Sequence, residues 1–295
     1  MKHISFVILQ YNTYELTMSC VQSIIKNIRD DNYSVVIVDN ASTNNAAEKI
    51  SEYIEFNQYQ GKVILLKSAE NGGFAKGNNI GYRYAVNKLQ SDYVVCINND
   101  TEIYQEDFIS KIEQIYKENK VAVIGPDIVT IDNRHQNPYR GNGVTRKKAK
   151  NWKNKRFIWL MLLYCIRLFP RKISGILYNV VSRKKISMDK SCQMYNDNKH
   201  KDVVLHGACM IFTPEYINTM KYAFCPYTFL YCEEDILFRI LEKKKMHTLY
   251  TSGLKIIHKD GRTSASLGST SLDKEIFETR NIIKSLKVLI RLCDM

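Results

Sequence analysis

Short apolar runs alternate with stretches of helical periodicity along the first 125 residues. The apolar runs predict strands at 4–9, 34–38, 63–66, 93–97 and 121–125, and the periodic stretches predict helices at 13–28, 44–56, 75–89 and 107–118. This order is typical of an α/β fold whose mostly parallel sheet has helices on both faces. Further strands are predicted at 203–212 and 249–258, a helix at 234–245 between them, and an amphipathic helix at 274–292.

The net charge of +13 belongs to one segment of the chain. Residues 133–188 contain 15 Lys and Arg residues and no Asp or Glu, whereas the rest of the chain has 28 basic and 30 acidic residues. The remainder is therefore close to neutral. A segment with its own charge indicates a partner of its own.

Inside the basic segment, an apolar stretch of 13 residues at 157–169 is interrupted only by Arg167. Crossing a bilayer takes about 20 residues. We therefore expect a helix in the headgroup plane, with Trp152 and Trp159 at the interface and the Lys and Arg side chains on anionic lipid. The alternative is a core helix with a solvated basic linker, although such a helix needs no acid-free, lysine-rich flanks.

Composition indicates a globular protein. With 295 residues, 45% of them hydrophobic, the chain is long enough to bury a sizeable core. Its eight cysteines are scattered without a C-x-x-C pair, which favours reduced, structural thiols and a cytoplasmic location. The apolar run at 4–9 is shorter than a secretory signal requires, so we interpret it as the first core strand and expect no secretion.

Asp100 stands where a buried strand ends. It follows the apolar run 93–97 within the sequence Asn98-Asn99-Asp100-Thr101. Ligands of open α/β sheets bind at the carboxyl ends of the strands, so this carboxylate is well positioned for chemistry. Asn and Asp are also favoured turn residues, and the residues alone leave a simple polar turn equally open.

Two other segments have the composition of a nucleotide site. Asp39 follows the second strand, where it can accept hydrogen bonds from a ribose or a base, or cap the next helix. Glycines at 72, 73 and 77 surround Lys76 where the third strand is joined to the third helix. Such glycines let the backbone approach a ligand, and the helix N-terminus and Lys76 suit a diphosphate. The segment matches neither a P-loop nor a G-x-G-x-x-G motif, which argues against a dinucleotide-dependent dehydrogenase.

Three consecutive acids, Glu233, Glu234 and Asp235, stand at the start of the helix predicted at 234–245. Acids are favourable at a helix N-terminus, so ordinary capping is one interpretation. Like charges packed together raise the pKa of at least one acid, and a usable general base is the other interpretation. His258 ends the last predicted strand. A lone histidine is most often structural, but a strand end like that of Asp100 would let the two hold a divalent metal.

The order of these segments resembles the family 2 glycosyltransferases, and more narrowly the bacterial rhamnosyltransferase-like branch that builds surface polysaccharides. The resemblance rests on Tyr11-Asn12, on 38–43 (VDNAST), 71–79 (NGGFAKGNN), 98–101 (NNDT) and 231–235 (YCEED). It covers nearly the whole chain and is most specific in the glycine and asparagine segment. It implies a GT-A fold with a Rossmann-like sheet, and inverting, metal-dependent transfer of a sugar from a UDP- or dTDP-linked donor.

The resemblance also implies roles for individual residues. The donor-binding residues would be Tyr11, Asn12, Asp39, Lys76, Asn78, Asn98 and Asn99. Mg²⁺ or Mn²⁺ would be bound by Asp100, the last acid of the D-x-D motif, with His258 as a further ligand. Glu234 takes the position of the catalytic base, with Asp235 as a rival and Glu233 beside them. Asn98 stands where D-x-D has its first acid, so metal binding should be weak without the donor diphosphate.

The acceptor would lie beside His206, Gly207 and Ala208, where small residues permit close approach, although tight core packing explains the same residues. We expect residues 1–132 to form the nucleotide-sugar-binding half, 133–200 a basic membrane-associating insertion, 201–272 the acceptor half, and 273–295 a C-terminal amphipathic helix. The enzyme would then work on the inner face of the cell membrane, on a lipid-linked saccharide.

Two other functions are compatible with parts of the sequence. A sugar nucleotidyltransferase of similar fold also needs a metal and a nucleotide, but residues 10–13 lack the basic phosphate-activating loop expected near its N-terminus. A non-enzymatic polyanion binder would use the basic segment. Nucleic-acid binders interleave basic and aromatic residues, whereas this segment has a continuous apolar stretch, so nucleic acid is not an expected partner.

Overall fold

A single sheet runs through the described residues of this computed structural model, which are 2–182, 198–259 and 271–294. Its strands are β1 (Ile4–Gln10), β2 (Tyr33–Asp39), β3 (Val63–Lys67), β4 (Tyr93–Asn98), β5 (Thr101–Glu102), β6 (Val123–Thr130), β7 (His200–Lys201), β8 (Cys209–Phe212) and β9 (Thr248–His258). The helices are α1 (Tyr14–Asn27), α2 (Ala46–Phe56), α3 (Gly73–Asn87), α4 (Phe108–Asn119), α5 (Arg146–Arg167), α6 (Arg171–Ser182), α7 (Pro214–Ile217), α8 (Glu233–Lys243) and α9 (Ser271–Asp294).

The sheet is parallel in its first half and mixed in its second. The strand order is β3-β2-β1-β4-β8-β6-β9-β5, and β7 pairs with β9. Strands β3, β2, β1 and β4 are parallel, as their continuous Val- and Ile-rich runs predict for strands buried on both faces. Strand β8 runs antiparallel to both β4 and β6, so the expectation of one mostly parallel sheet is correct for the first half only.

The strand predicted at 203–212 is shorter in the structure. Only Cys209–Phe212 forms β8, because Gly207 and Ala208 form a turn ahead of it. The residues before the turn have other partners: the Val203 N–H donates to Thr248 Oγ1 at 3.0 Å, and the Val204 N–H donates to the Arg140 carbonyl at 2.8 Å. A continuous apolar run therefore does not correspond to a continuous strand here.

The apolar stretch at 157–169 belongs to a longer helix than its composition predicts. Helix α5 has 22 residues and includes the lysine-rich flank before the stretch, and α6 follows it without having been predicted. One face of α5 packs on α9 through Leu160, Leu163 and Ile166, so the core-helix alternative is correct for that face. None of the described helices is long and apolar enough to cross a membrane.

The two tryptophans expected at a lipid interface are half-buried against protein. Trp159 donates from Nε1 to Oε1 of Glu275 in α9 at 3.0 Å. Trp152 packs beside Val144 and Leu286. Part of each tryptophan is thus covered by protein, because α9 supplies a surface that the local sequence does not reveal, and their place at a lipid interface stays a prediction.

Candidate active site

The carboxyl ends of three adjacent strands bring the first group of candidate residues together. Strand β1 lies between β2 and β4, with Gln10 in register with Asp39 and Leu9 in register with Asn98. Residues 11 and 12, Asp39 and residues 98–100 therefore lie along one edge of the sheet. This is the edge at which ligands of open α/β sheets bind.

Asp39 is buried and is held by the last residue of β1 and by the loop that follows β2. Its Oδ1 accepts from Gln10 Nε2 and, at 2.5 Å, from Ser42 Oγ, and its Oδ2 accepts from the Ser42 N–H at 3.1 Å. Asn12, which has a φ of 58°, accepts on Oδ1 from the Thr43 N–H at 2.8 Å. The N-cap residue of α2 is Asn45, so Asp39 orders a turn at the sheet edge and does not cap the helix.

The glycine segment is joined to the loop that precedes the three acids. Gly73 has a φ of 72°, and a Cβ atom there would lie 2.1 Å from the Phe229 carbonyl oxygen. The next N–H, that of Phe74, donates to the same oxygen at 2.7 Å. Asn40, which sequence reasoning missed, bonds to both sides of the segment: its Oδ1 accepts from the Gly72 N–H and its Nδ2 donates to the Gly73 carbonyl.

The residues predicted to bind the donor differ in their accessibility. Lys76 is exposed and Asn98 is half-buried. Asn78 is buried, and its Nδ2 donates to the Phe74 carbonyl one helical turn earlier at 3.0 Å. Asn99 is buried as well and donates to hydroxyl groups at the start of α1, including Thr13 Oγ1 at 2.6 Å. The side chains of Asn78 and Asn99 thus have structural partners.

Asp100 and His258 meet because the two-residue strand β5 pairs with the end of β9. Thr101 is in register with His258, and this antiparallel pairing brings Nε2 of His258 to 3.3 Å from Oδ1 of Asp100. Both side chains are buried. Nδ1 of His258 lies 2.6 Å from Oε1 of Gln136, so with that carbonyl as acceptor the ring carries a proton on Nδ1.

This arrangement suits a cation. An imidazole lone pair on Nε2 facing a carboxylate oxygen is stable only with a proton or a metal ion between them. One carboxylate and one imidazole are both ligands that Mn²⁺ accepts. Within residues 2–182, 198–259 and 271–294, no group of three or more His, Cys, Asp or Glu side chains is arranged to hold a metal. A bound metal would therefore need ligands from its substrate or from water.

The turn at residues 206–208 connects the Asp100 pair with the three acids. The ring of His206 lies 6.0 Å from that of His258, and its Nδ1 accepts from the Ala208 N–H at 3.1 Å. Burial and the nearby His258 lower the pKa of His206 to about 3, so the ring is neutral. On the other side, a Cβ atom at Gly207 would lie 2.8 Å from Oε1 of Glu234.

At the start of α8, Glu233 and Asp235 are buried and Glu234 is half-buried, and the turn before them is strained. Tyr231 and Cys232 both have positive φ angles, of 74° and 66°. Burial and the adjacent Glu234 raise the pKa of Glu233 to about 8. Burial also raises the pKa of Glu234, while a hydrogen bond from the Gly207 backbone lowers it. The cluster therefore contains carboxyl groups with raised proton affinity, which plain helix capping at a solvated terminus does not produce.

Asp235 has a partner that sequence reasoning missed. Its Oδ2 forms an ion pair with Arg140, whose guanidinium lies over the Tyr139 ring at 4.4 Å. Burial raises the pKa of Asp235 and the guanidinium opposes that effect. Arg140 is one of the 15 basic residues of segment 133–188. Nothing in the sequence distinguishes it from the other 14 as the one that pairs with Asp235.

Comparison with known proteins identifies the family of the chain. The model of glycosyl transferase family 2 matches residues 5–175, more than half of the sequence. The chain belongs to glycosyl transferase family 2. Membership confirms the resemblance inferred from the sequence motifs, and it favours a glycosyltransferase over the nucleotidyltransferase and polyanion-binder alternatives.

Curated relatives match part of this family 2 chain. The dTDP-rhamnosyl transferase RfbF of Shigella flexneri is 28% identical over 138 residues, which are 46% of this chain and 44% of RfbF. Glycosyltransferase GlyG of Streptococcus pneumoniae is 28% identical over 123 residues, which are 41% of this chain and 38% of GlyG. The match thus spans less than half the length of either relative.

Solved glycosyltransferase structures have the same fold as this family 2 protein. GalNAc-T7 with UDP, GalNAc and Mn²⁺ aligns with a TM-score of 0.59 and 15% identity, over 90% of this chain and 46% of that one. S. aureus TarS in complex with UDP aligns with a TM-score of 0.52 and 14% identity, over 96% of this chain and 64% of that one. These likenesses show the mixed α/β fold of the GT-A glycosyltransferases.

Proposed function

We propose that the protein is an inverting glycosyltransferase that moves a sugar from a nucleotide diphosphate donor to a hydroxyl group of a saccharide acceptor. One observation carries the proposal. Asp100 and His258 form a buried pair at the sheet edge, and the turn at 206–208 links this pair to Glu234, a carboxyl group with a raised pKa. A cation-binding pair and a base in one connected site are what sugar transfer from a diphosphate requires.

The donor side of the reaction would use the sheet edge. Asp39 and the loop around Asn12 would contact the nucleoside, and Lys76, exposed at the start of α3, would face the diphosphate. A divalent metal, Mg²⁺ or Mn²⁺, held by Asp100 and His258, would neutralise the charge of the diphosphate leaving group. Because the described part of the chain offers two such ligands and no larger group, we expect tight metal binding only in the presence of the donor.

The acceptor side would use Glu234 as the general base. Its carboxylate would take the proton of the acceptor hydroxyl while that oxygen attacks the anomeric carbon from the face opposite the diphosphate, which inverts the configuration. Burial raises the pKa of Glu234, and a carboxylate with a raised pKa is a stronger proton acceptor. Asp235 is a weaker candidate because Arg140 forms an ion pair with it. His206 is half-buried and would line the acceptor, whereas Gly207 and Ala208 are buried and the Ala208 carbonyl accepts from the Asn98 N–H at 2.8 Å.

The donor and the acceptor are proposed from the relatives. RfbF is named as a dTDP-rhamnosyl transferase, and TarS and GalNAc-T7 were crystallised with UDP, so dTDP- and UDP-linked sugars are the donors to test. A third relative, 30% identical over 94 residues, is named as the low-salt glycan biosynthesis hexosyltransferase Agl10 of Haloferax volcanii, which supports a role in glycan synthesis. We propose a lipid-linked saccharide as acceptor and a peripheral position on the inner face of the cell membrane, because exposed apolar side chains of α5 and α6 accompany the basic segment.

A thermal-shift screen of nucleotide sugars with and without Mn²⁺ tests the proposal. A ligand that binds only the folded state at 100 times its dissociation constant stabilises it by about 2.7 kcal/mol. We expect a UDP- or dTDP-linked sugar to raise the melting temperature, and to do so more strongly with Mn²⁺. If no nucleotide sugar shifts the melting temperature under either condition, the proposed function is wrong.

A further inference from the structure

A groove between α5 and α9 lies outside the site described above. It has a volume of about 480 Å³, which is enough for a lipid headgroup and its first carbons. The floor is apolar, with Leu160 and Ile283 buried and Phe157 exposed at the side. Basic side chains surround this floor. The groove is therefore complementary to both parts of an anionic lipid, the apolar chain and the charged headgroup.

Among the residues that the structure describes, four basic side chains and no acidic ones line the groove. They are Lys153 of α5 and Arg280, Lys284 and Lys287 of α9. None of the four has a carboxylate of the described residues within 4.0 Å. In contrast, Arg156 and Arg167 of the same helix α5 pair with Glu275 and Asp273 of α9. The two helices thus neutralise part of their charge internally and leave a cluster of cations around the groove.

An exposed apolar surface adjoins the groove. Its side chains on α5, on α6 and between them are Phe157, Ile158, Met161, Leu162, Leu168, Phe169, Ile173, Ile176 and Val180. Phe157 belongs both to this surface and to the groove. On α5 the spacing of three and four residues puts the side chains on one side of the helix. Exposed apolar groups in such number mark a site of interaction, and the cations beside them select an anionic partner.

We propose that the groove binds the phosphate group of a membrane lipid while the apolar surface of α5 and α6 lies in the acyl layer. The lysine ammonium groups would neutralise the phosphate, and Arg280 would bind two of its oxygens through its planar guanidinium. Phe157 would contact the first carbons of the lipid chain. The inference deepens the proposed membrane position, on which it rests, by assigning it a lipid class and a site.

Helix α9 joins this groove to the loop that precedes α8. It supplies three of the four cations, and on another face its Ser285 Oγ donates to the Leu230 carbonyl at 2.9 Å. Phe277 of α9 packs edge-on against Phe229. These contacts lie directly before the three acids of α8. A lipid phosphate in the groove would therefore hold the membrane surface in a fixed relation to Glu234.

Vesicle cosedimentation of the full chain, without donor or acceptor, tests the proposal. The groove variant combines Lys153→Gln, Lys284→Gln and Lys287→Gln, and a control variant with the same change in charge combines Lys88→Gln, Lys117→Gln and Lys244→Gln, which are exposed elsewhere. Each lysine at an anionic surface contributes roughly fivefold in binding. We expect the groove variant to bind phosphatidic acid vesicles about 100-fold more weakly and the control variant to bind like wild type. Equal binding of both variants would overturn the proposal.

Three further arms separate the phosphate from other ligands. Two kinds of phosphatidylcholine vesicle with matched surface charge are compared, one containing phosphatidic acid and the other oleate. Wild type should bind the phosphatidic acid vesicles more tightly. Equal affinity for both would contradict a phosphate site, because surface charge alone would then explain the binding. Inorganic phosphate should not displace the protein from vesicles, and displacement at low concentration would indicate a site for free phosphate. Self-association through the apolar surface without binding to any vesicle would also contradict the proposal. The single variant Lys287→Gln, expected to lose about fivefold, covers the case that the triple variant folds poorly.

The experiment is independent of sugar transfer. Donor binding is measured separately by thermal shift, so a protein that binds nucleotide sugars but does not discriminate between vesicles would refute only the lipid site. A protein that discriminates between vesicles but binds no nucleotide sugar would refute only the proposed function.

Discussion

The three acids at the start of α8 have different environments although they are consecutive in sequence. Glu233 is buried and has a pKa of about 8, Glu234 approaches the turn at Gly207, and Asp235 forms an ion pair with Arg140. A carboxylate paired with a guanidinium is a poor proton acceptor, because the guanidinium stabilises its ionised form. The geometry therefore favours Glu234 as the base and Asp235 as the residue that fixes the start of α8.

Paired substitutions separate these two roles. Glu234→Gln should lower the rate of sugar transfer by about 10²- to 10⁴-fold without changing donor binding or folding, because a general base contributes that much. Asp235→Asn should instead destabilise the fold by about 3 kcal/mol, since it leaves the Arg140 charge without its partner. Transfer kinetics and urea unfolding measure the two effects. A stable, inactive Asp235→Asn together with an active Glu234→Gln would reverse the assignment.

His206 makes the stability of the protein depend on pH. Its pKa is lowered to about 3 in the folded state, whereas an unfolded chain takes up the proton near pH 6.5. Below about pH 6.5 the unfolded state binds one more proton, so the free energy of unfolding should decrease by about 1.4 kcal/mol per pH unit as the pH falls. Urea unfolding at several pH values gives the slope of the free energy of unfolding against pH. In His206→Asn, which retains an acceptor for the Ala208 N–H, this slope should be smaller by the contribution of one proton. An unchanged slope would contradict the buried neutral histidine.

At the scale of the elements, two loops meet where the glycine segment contacts Phe229, in the loop that precedes α8. Gly73 has a left-handed backbone and leaves no room for a side chain against Phe229. The contact joins the start of α3, on the proposed donor side, to the loop that leads into α8. A change at this contact should therefore affect both stability and donor binding.

Alanine substitutions at two glycines isolate this contact. Gly61 also has a positive φ, of 86°, but nothing lies within 4 Å of a Cβ atom there, so Gly61→Ala should cost about 1 kcal/mol from the backbone alone. Gly73→Ala should cost about 3 kcal/mol, because overlap with Phe229 adds to the backbone term. It should also weaken donor-induced stabilisation in a thermal-shift assay. Equal losses of unfolding free energy in the two variants would show that the loop contact is unimportant.

At the scale of the whole molecule, the sequence predicts the parallel half of the sheet well. Runs such as 34–38 are short and rich in Val and Ile, which favours strands buried on both faces. The second half is less predictable: β5 has two residues and no periodicity, yet its pairing with β9 brings Asp100 to His258. Arg140 and Gln136 come from a connecting segment without secondary structure, so only the fold reveals that they reach the site.

Contacts between distant parts of the chain also explain why the fold of the basic segment was only partly predicted. Its charge suggested a surface for lipid along the whole length, but α9, more than 100 residues later in the chain, covers one face of α5 and pairs with some of its cations. Long-range packing of this kind leaves no local signal in the sequence. What local composition did indicate, an exposed apolar side with cations beside it, is present on the faces that α9 leaves open.

Calorimetric titration of UDP and dTDP into the protein, with and without Mn²⁺, tests the proposed reaction centre most directly when wild type is compared with Asp100→Asn. Wild type should bind one of the nucleotides at least about tenfold more tightly with Mn²⁺, a coupling of about 1.4 kcal/mol. Asp100→Asn should lose this gain and retain the metal-free affinity. Nucleotide binding that is independent of Mn²⁺ in wild type, or a full Mn²⁺ effect in Asp100→Asn, would contradict a metal-dependent donor site at Asp100.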